Sequence, residues 1–304
     1  MSIRINGLRI NNSTMWSIPA VIIPGATVGI FALADGTREK YTFSTDAVVT
    51  ATSSSWFPDS ACAASNSTVG IFARGFNSAS RDKYTFIGDT STSTTASSII
   101  SSAGSATGNS TVGIFAIGYT TGFAVVSTRD KYTYVGDVNS AATSASTPGV
   151  QGSAVGNSTV GIFNLGIAPG ASATRDKYTY SGDVNSSATS ASVASYNSSG
   201  VGNSTVGIFA VGQTGSGQVS TRDKYTYAGD VNSAATAASV NSSMGYAAGN
   251  DSVGIFSVGQ IAAAASVVRN KYTYSGDVNS AATSSLSADR LGAACSNGTT
   301  GVNA

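Results

Sequence analysis

The sequence predicts an all-β fold assembled from repeats, and three observations predict it. A charged, aromatic block recurs six times: TREKYTF at 37–43, SRDKYTF at 80–86, TRDKYTY at 128–134, 174–180 and 221–227, and VRNKYTY at 268–274. Its first tyrosines, Tyr41, Tyr84, Tyr132, Tyr178, Tyr225 and Tyr272, are 43, 48, 46, 47 and 47 residues apart, and a fixed period of this length marks a repeat architecture. Between the blocks lie short apolar runs punctuated by Gly, Asn and Asp turns, with no segment of helical periodicity.

The unit around Arg222 shows each element in order. A GNST turn (Gly202 to Thr205) opens VGIFAVG, Val206 to Gly212. Val206, Ile208 and Ala210 alternate with Gly207, Phe209 and Val211, so both faces are apolar, as in a strand covered on both sides. A variable loop follows. The charged block then forms a third segment in which alternation sets Asp223, Tyr225 and Tyr227 against Arg222, Lys224 and Thr226. Gly229 and Asp230 supply a tight turn, with Asp able to cap its own backbone. A weaker strand, SAATAAS, comes next, and the short MGYAAG segment before the following turn is read as a fourth. Four short antiparallel strands in about 47 residues suit one blade of a propeller better than one turn of a solenoid. The chain thus reads as a six-bladed β-propeller over 27–304 behind an N-terminal arm, 1–26. The repeats fall at about 27–65, 66–108, 109–156, 157–202, 203–249 and 250–292. A segment at 293–304 begins a seventh unit, since ACSNGTTGVNA (Ala294 to Ala304) aligns with Ala64 to Ala73. That segment is expected to pair with the first blade and close the ring.

Charge is sparse, 10% of residues, yet twelve of the sixteen Lys and Arg and eleven of the fifteen acids sit in the repeated blocks. Charges on the third strand of a blade sandwiched between neighbours need partners, because an unpaired buried ion costs several kcal/mol. Arg38, Arg81, Arg129, Arg175, Arg222 and Arg269, with Asp89, Asp137, Asp183, Asp230 and Asp277, are therefore read as inter-blade charges, Arg and Lys of one blade pairing with Asp of the same or the adjacent blade. Net charge is +1 and the pI about 7.7, so nothing points to nucleic acid. With 41% hydrophobic residues in fixed positions the chain reads as folded. Arg4 and Arg9 precede an apolar stretch, but Pro19 and Pro24 interrupt it, which argues against a signal peptide, and no run approaches the ~18 apolar residues of a membrane span. Cys62 and Cys295 either bridge the first unit to the last or are two small buried thiols.

VGIFAVG, the loop, STRDKYTYAGD and SAATAAS together resemble the kelch-type propeller repeat, and in particular the Ser-, Thr- and Ala-rich kelch-like arrays of tailed bacteriophages and bacterial surface proteins. The resemblance covers residues 27–304, with one Gly (Gly212) where the ordinary pattern has a pair and no Trp in the fourth strand. It implies a virion protein, a tail or head appendage, that docks on other virion proteins through its N-terminal arm or one propeller face, as a homo-oligomer within a particle. Host surface glycans are the further partner it implies; a free-standing bacterial lectin or adhesin, at the cell surface or secreted, is the alternative.

The catalytic inventory is thin. There is no His, which removes Ser-His-Asp chemistry and the commonest zinc ligand. Glu39 is the one glutamate, so a paired-carboxylate hydrolase would depend on aspartates already placed in repeats. The Asp-box of six-bladed sialidases, with its Trp, does not occur, and Trp16 and Trp56 are the only tryptophans. Asp-Val-Asn-Ser, as at Asp230, is read as an Asx turn rather than a calcium loop. Asn109, Asn157 and Asn203 formally match glycosylation acceptors but read as hairpin turns. No phosphate-binding loop is found. A non-enzymatic protein without metal or cofactor is expected, with a propeller polysaccharide hydrolase or lyase built on aspartates and tyrosines as the remoter alternative.

What varies is the loop after the second strand. From its Phe to the next Arg the count is 7, 9, 14, 12, 13 and 13 residues. Loops that vary over a constant scaffold gather on one face, often the binding face. Arg74, Phe76, Asn77, Tyr119, Phe123, Gln213 and Gln218 are the loop side chains best suited to stack on or hydrogen-bond a sugar.

Overall fold

Residues 3–5, 8–10, 27–54, 59–167 and 170–298 are described by the computed structural model. They form a six-bladed β-propeller with almost no helix, each blade one four-stranded antiparallel sheet. From the axis outward, blade 2 takes Cys62–Ser65, Val69–Ala73, Arg81–Thr85 and Thr90–Thr94. Blade 3 takes Ser105–Gly108, Val112–Ala116, Arg129–Thr133 and Val138–Ala142, and blade 4 takes Ser153–Gly156, Val160–Asn164, Arg175–Thr179 and Val184–Ala188. Blade 5 takes Ser199–Gly202, Val206–Ala210, Arg222–Thr226 and Val231–Ala235, and blade 6 takes Tyr246–Gly249, Val253–Ser257, Arg269–Thr273 and Val278–Ala282. Blade 1 is composite: Ala293–Ser296 lies inside Val28–Ala32, Arg38–Thr42 and Ala47–Ala51.

The sheets are therefore offset from the sequence repeats by one strand. The segment that ends each repeat, such as Tyr246–Gly249, crosses over to become the innermost strand of the next blade. This offset also closes the ring. The inner strand that no first repeat supplies comes from the C-terminal segment, with Gly29 opposite Ser296, Ile30 opposite Cys295, Phe31 opposite Ala294 and Ala32 opposite Ala293. Residues 299–304 of that segment, and most of the N-terminal arm, lie outside the described residues, as does Trp56. Within the arm, Ile3–Ile5 and Leu8–Ile10 pair as a small hairpin.

Both apolar faces of the second strand are used. Ile and Phe in each VGIF are buried, one toward each neighbouring blade, and each contributes roughly 1.5–3 kcal/mol by burial. The glycine between Val and Ile lets blades approach. A Cβ on Gly207 would lie 2.2 Å from Val155 Cγ2 of blade 4, and one on Gly70 would lie 2.4 Å from Cys295 Sγ. Cys62 and Cys295 are both free and buried, so the bridge is not formed; burial pushes both thiols up to about 12. A second covariation fills the ends of the inner strands. Blades 3 to 6 end their inner strand in Gly and carry Tyr134, Tyr180, Tyr227 or Tyr274 directly after the third strand, whereas blades 1 and 2 end in Ser296 and Ser65 and carry Phe43 and Phe86 there. The hydroxyls of Tyr134, Tyr180 and Tyr227 come within 2.7–3.0 Å of where a side chain on Gly108, Gly156 and Gly202 would begin. In blades 3 to 5 the aromatic thus brings a hydroxyl to the end of the inner strand.

The charges answer to two rings. Alternation on the third strand points Arg toward the following blade and the next residue toward the preceding one. Arg38 meets Asp82 (3.2 Å), Arg81 meets Asp130 (3.1 Å), Arg129 meets Asp176 (3.0 Å), Arg175 meets Asp223 (2.9 Å), and Arg269 meets Glu39 of blade 1 (2.7 Å). All six guanidinium groups are buried and stack over the Phe of the following blade, 4.3–4.7 Å from its centroid, a cation–π contact strengthened by desolvation. Asp89, Asp137, Asp183, Asp230 and Asp277, read from the sequence as inter-blade charges, do pair between blades, but with lysine rather than with these arginines. With Asp46 they form the outer ring, taking Lys40, Lys83, Lys131, Lys177, Lys224 and Lys271 of the preceding blade. Each is also the acceptor for the Tyr hydroxyl five residues earlier in its own blade. The physical reason is depth: the turn Asp sits at the solvated end of the strand, level with Lys, while the residue after Arg is buried with it.

Candidate functional site

The crossovers between blades and the variable loops share one end of the ring, where they bridge to each other, as Ser102 does to Tyr119, Tyr196 to Gln213 and Ser243 to Gln260. At the axis of that end the chain makes a closed ring of six backbone hydrogen bonds. Ala103 N donates to Ser60 O (2.9 Å), Gln151 N to Ala103 O (2.9 Å), Asn197 N to Gln151 O (2.7 Å), Met244 N to Asn197 O (2.9 Å), Leu291 N to Met244 O (3.0 Å), and Ser60 N to Leu291 O (2.9 Å). All six residues adopt the left-handed conformation, with φ between 50° and 62°, a region that non-glycine residues enter at a cost. They rim an open depression of about 50 Å³. Six-fold in backbone, the rim is uneven in side chains: Ser60, Gln151 and Asn197 are polar, while Ala103, Met244 and Leu291 are not. The rim was not foreseen. Its only signal in the sequence is a changing residue at a fixed place, two before the start of each inner strand.

The loop residues singled out by sequence divide into two groups. Arg74 is half-buried and forms an ion pair with Asp82 at 3.7 Å. Gln213 and Gln218 face each other across a two-residue-per-strand hairpin. Gln218 Nε2 donates to Ser243 Oγ (2.8 Å) and Gln260 O (3.3 Å), and Gln213 Oε1 accepts from Asn197 Nδ2 at 3.5 Å. These three hold the face together. Phe76 and Phe123, on the loops of blades 2 and 3, are 70% and 72% exposed. Each has a left-handed backbone, φ 38° and 62°, and Asn77 follows at φ 56°. Tyr119 is half-buried and meets Phe123 edge-on, 5.9 Å between centroids at 82°, so the tyrosine backs the phenylalanine.

A second feature missed by sequence lies at the seam between blades 6 and 1. Asp289 is 6% exposed; its carboxylate accepts from Tyr246 OH (2.7 Å) and Ala34 N (3.0 Å). Burial raises its pKa above the ordinary carboxylate range, opposed by these hydrogen bonds. The pair clamps the last crossover to the first blade. At the opposite end of the ring the Asn-Ser-Thr turns are structural: Asn109, Asn157 and Asn203 each accept from backbone N–H groups two and three residues on (2.9–3.0 Å). Each also donates Nδ2 to a carbonyl of the next blade, Ser158, Ser204 and Asp251. The Asp of Asp-Val-Asn-Ser is likewise engaged, as described for the outer ring. Among the described residues no group of three or more Cys, Asp or Glu gathers as a metal site, and no helix is long and apolar enough to cross a membrane.

The chain matches no protein-family model and no curated protein sequence. Among solved structures it is similar to that of the protein YjhT, with a TM-score of 0.63 at 10% identity over 81% of this chain and 93% of that one. The likeness is one of fold: both chains are built on the propeller plan.

Proposed function

We propose that this propeller is a non-enzymatic recognition protein of the kelch-like repeat kind, carried on a bacteriophage particle as a tail or head appendage and offering its loop face to host glycans. The observation that carries the reading is the presentation of Phe76 and Phe123. Two large apolar rings stand exposed on adjacent blades, on backbone that disfavours such residues, and strain of that kind is found where a function holds it. Flat aromatic surface with little entropy to lose is what a sugar face stacks on. Among the described residues the charges of the repeated blocks are spent between blades, which suits a scaffold for display rather than for chemistry. The remaining surface, the N-terminal arm or the opposite face, is where other virion proteins would dock.

A glycan array read with the wild type and with Phe76→Ala/Phe123→Ala tests it. Binding to a defined subset of glycans, weakened roughly tenfold or more in the double variant at unchanged melting temperature, is the expected result. Absence of binding removes the glycan assignment. Recovery of the protein from cells but never from purified particles removes the virion assignment and leaves the free lectin.

A further inference from the structure

The inner charge ring does not balance. Six buried arginines face five carboxylates, because the residue that follows Arg in the block is Glu39, Asp82, Asp130, Asp176 and Asp223 in five blades but Asn270 in blade 6. Arg222 of blade 5 is therefore the one guanidinium whose deep partner is neutral. Its hydrogen bonds are made to amides: Nη1 donates to Asn279 Oδ1 (2.8 Å) and Nη2 to Asn270 Oδ1 (3.3 Å), while Nε has no partner, as in the other five arginines. Around Asn270 the network is rewired to suit an amide. Ser146 and Ser192 donate their hydroxyls to Asp176 and Asp223 (2.6 Å), whereas Ser239 Oγ accepts from Asn270 Nδ2 at 2.8 Å. What is missing at this interface is negative charge, not hydrogen bonds.

Beside Arg222 there is space. A cavity of about 10 Å³ opens between blades 5 and 6, lined by Arg222, Phe256 and the serines Ser199, Ser242, Ser243 and Ser257, among others. That is room for one water-sized particle. The equivalent cavity between blades 3 and 4, about 20 Å³, has no charged residue on its walls, and the arginine of that interface is neutralised by Asp176. The unbalanced cation and the cavity that contains it thus occur together. Ser243 Oγ accepts from Gln218 Nε2, which leaves its own proton to donate. The acid whose charge acts on Arg222, Asp277, is neutralised by Lys224 and bonded to Tyr272. Burial pulls the Arg222 guanidinium down to about 10, partly offset by Tyr272 and Asp277, so it remains a cation at neutral pH.

We propose that the interface between blades 5 and 6 is a binding site for a single small monovalent anion of the halide class, held by Arg222 and the serine hydroxyls around it. The chemistry selects the class. A cavity with room for one atom excludes phosphate and sulfate, and walls shared by Phe256, Ala210 and Val258 favour an anion that gives up its hydration readily, chloride or bromide over fluoride. A bound anion would replace the missing carboxylate, since a ligand that binds only the folded state stabilises it by mass action.

The test is thermal unfolding of the full chain in sodium chloride, bromide, fluoride and gluconate at one ionic strength, with Asn270→Asp alongside. The substitution restores the residue found in four other blades and is expected to fold. The expected result is a saturable rise in melting temperature with chloride and bromide, but not with fluoride or gluconate, for the wild type. Asn270→Asp should show no such dependence, with a higher melting temperature than wild type in gluconate. Equal anion dependence in both proteins, or none in either, overturns the site. A bromide-soaked crystal without an anomalous peak beside Arg222 overturns it as well.

Discussion

Arg269 Nη2 and Glu39 Oε2 meet at 2.7 Å, both buried, across the seam where the last blade closes on the first. Glu39 also accepts from Ser285 Oγ (2.9 Å) and Leu286 N (2.7 Å), so one carboxylate ties the end of blade 6 to the start of the chain. The same block that sets every other interface here carries the one glutamate of the protein. Its longer side chain reaches across the seam where the crossover to Ala293–Ser296 joins blade 6 to the composite first blade.

Removing that carboxylate should be the costliest single change in the ring. Glu39→Ala leaves Arg269 buried without a counter-charge, and breaking a buried pair in this way costs about 3–5 kcal/mol. Asp89→Ala, on the half-exposed outer ring, removes a Lys contact worth less than about 1 kcal/mol together with its Tyr84 and Thr52 hydrogen bonds. Urea unfolding of both variants checks the order; an Asp89 variant as damaged as the Glu39 variant would mean that depth does not govern these pairs.

Closure by the C-terminal strand has its own signature. Without residues 293–304, the second strand of blade 1 loses its inner partner, and Asn297 no longer accepts from Thr27 N (2.8 Å) and Val28 N (2.9 Å). The truncated chain should melt lower by roughly 10 °C or more, measured by calorimetry; an unchanged transition would place the closure elsewhere.

Blade spacing predicts a rescue. Gly207→Ala puts a Cβ against Val155 at 2.2 Å, an overpacking that should cost about 1–3 kcal/mol. Val155→Ala removes the obstructing Cγ2 and should recover part of that loss in the double variant, where two neighbours fail to add. Simple additivity in the four denaturation curves would show that the blades separate instead.

Much of this was legible in the sequence for one reason: period. Six copies of a block fix the strand count, the two-sided burial of VGIFA and the presence of inter-blade ions. The frame was not legible, because a fourth strand written at the end of one repeat reads the same whether it stays outermost or crosses to the next axis position. The partners of Arg222 and its equivalents were missed for a related reason: the sequence shows which charges recur but not their depth, and Asp223 is buried where Asp230 is not. The rim of Ser60, Gln151 and Asn197 escaped because variation at one position looks like noise until the backbone brings the six copies together.

Acid should unfold the ring through its outer aspartates. Burial alone would raise the carboxyls of Asp46, Asp89, Asp137, Asp183, Asp230 and Asp277, but Tyr, Thr and Lys hydrogen bonds and charges hold them below the usual value. Folded-state pKa values below unfolded ones mean stability that is present above about pH 4 and lost as pH falls through the lowered values. Asp289 has the opposite sign. Its pKa is raised, so its contribution falls as pH rises from about 4 through the raised value. Asp289→Asn should therefore cost more at pH 4 than at pH 7 in urea midpoints, and the reverse order would mean that the Tyr246 and Ala34 hydrogen bonds outweigh burial.

One substitution should strengthen the protein. Arg269 Nη1 is buried without a partner, whereas the corresponding atoms of Arg81, Arg129, Arg175 and Arg222 donate to Asn139, Asn185, Asn232 and Asn279 at 2.7–2.9 Å, and that of Arg38 donates to Ser91 at 2.7 Å. These acceptors all lie opposite the first Tyr of the block, and in blade 1 that place is held by Val48, opposite Tyr41. Val48 is half-buried, so the side chain lost is only partly covered, while the bond gained goes to a charged donor in a dry interface. Hydrogen bonds to charged groups contribute about 1.5–3 kcal/mol, reduced here by the lower strand preference of Asn. Val48→Asn should raise the urea midpoint at constant slope, and Val48→Ala should lower it; if Asn behaves like Ala, the unpaired Nη1 is already satisfied by water.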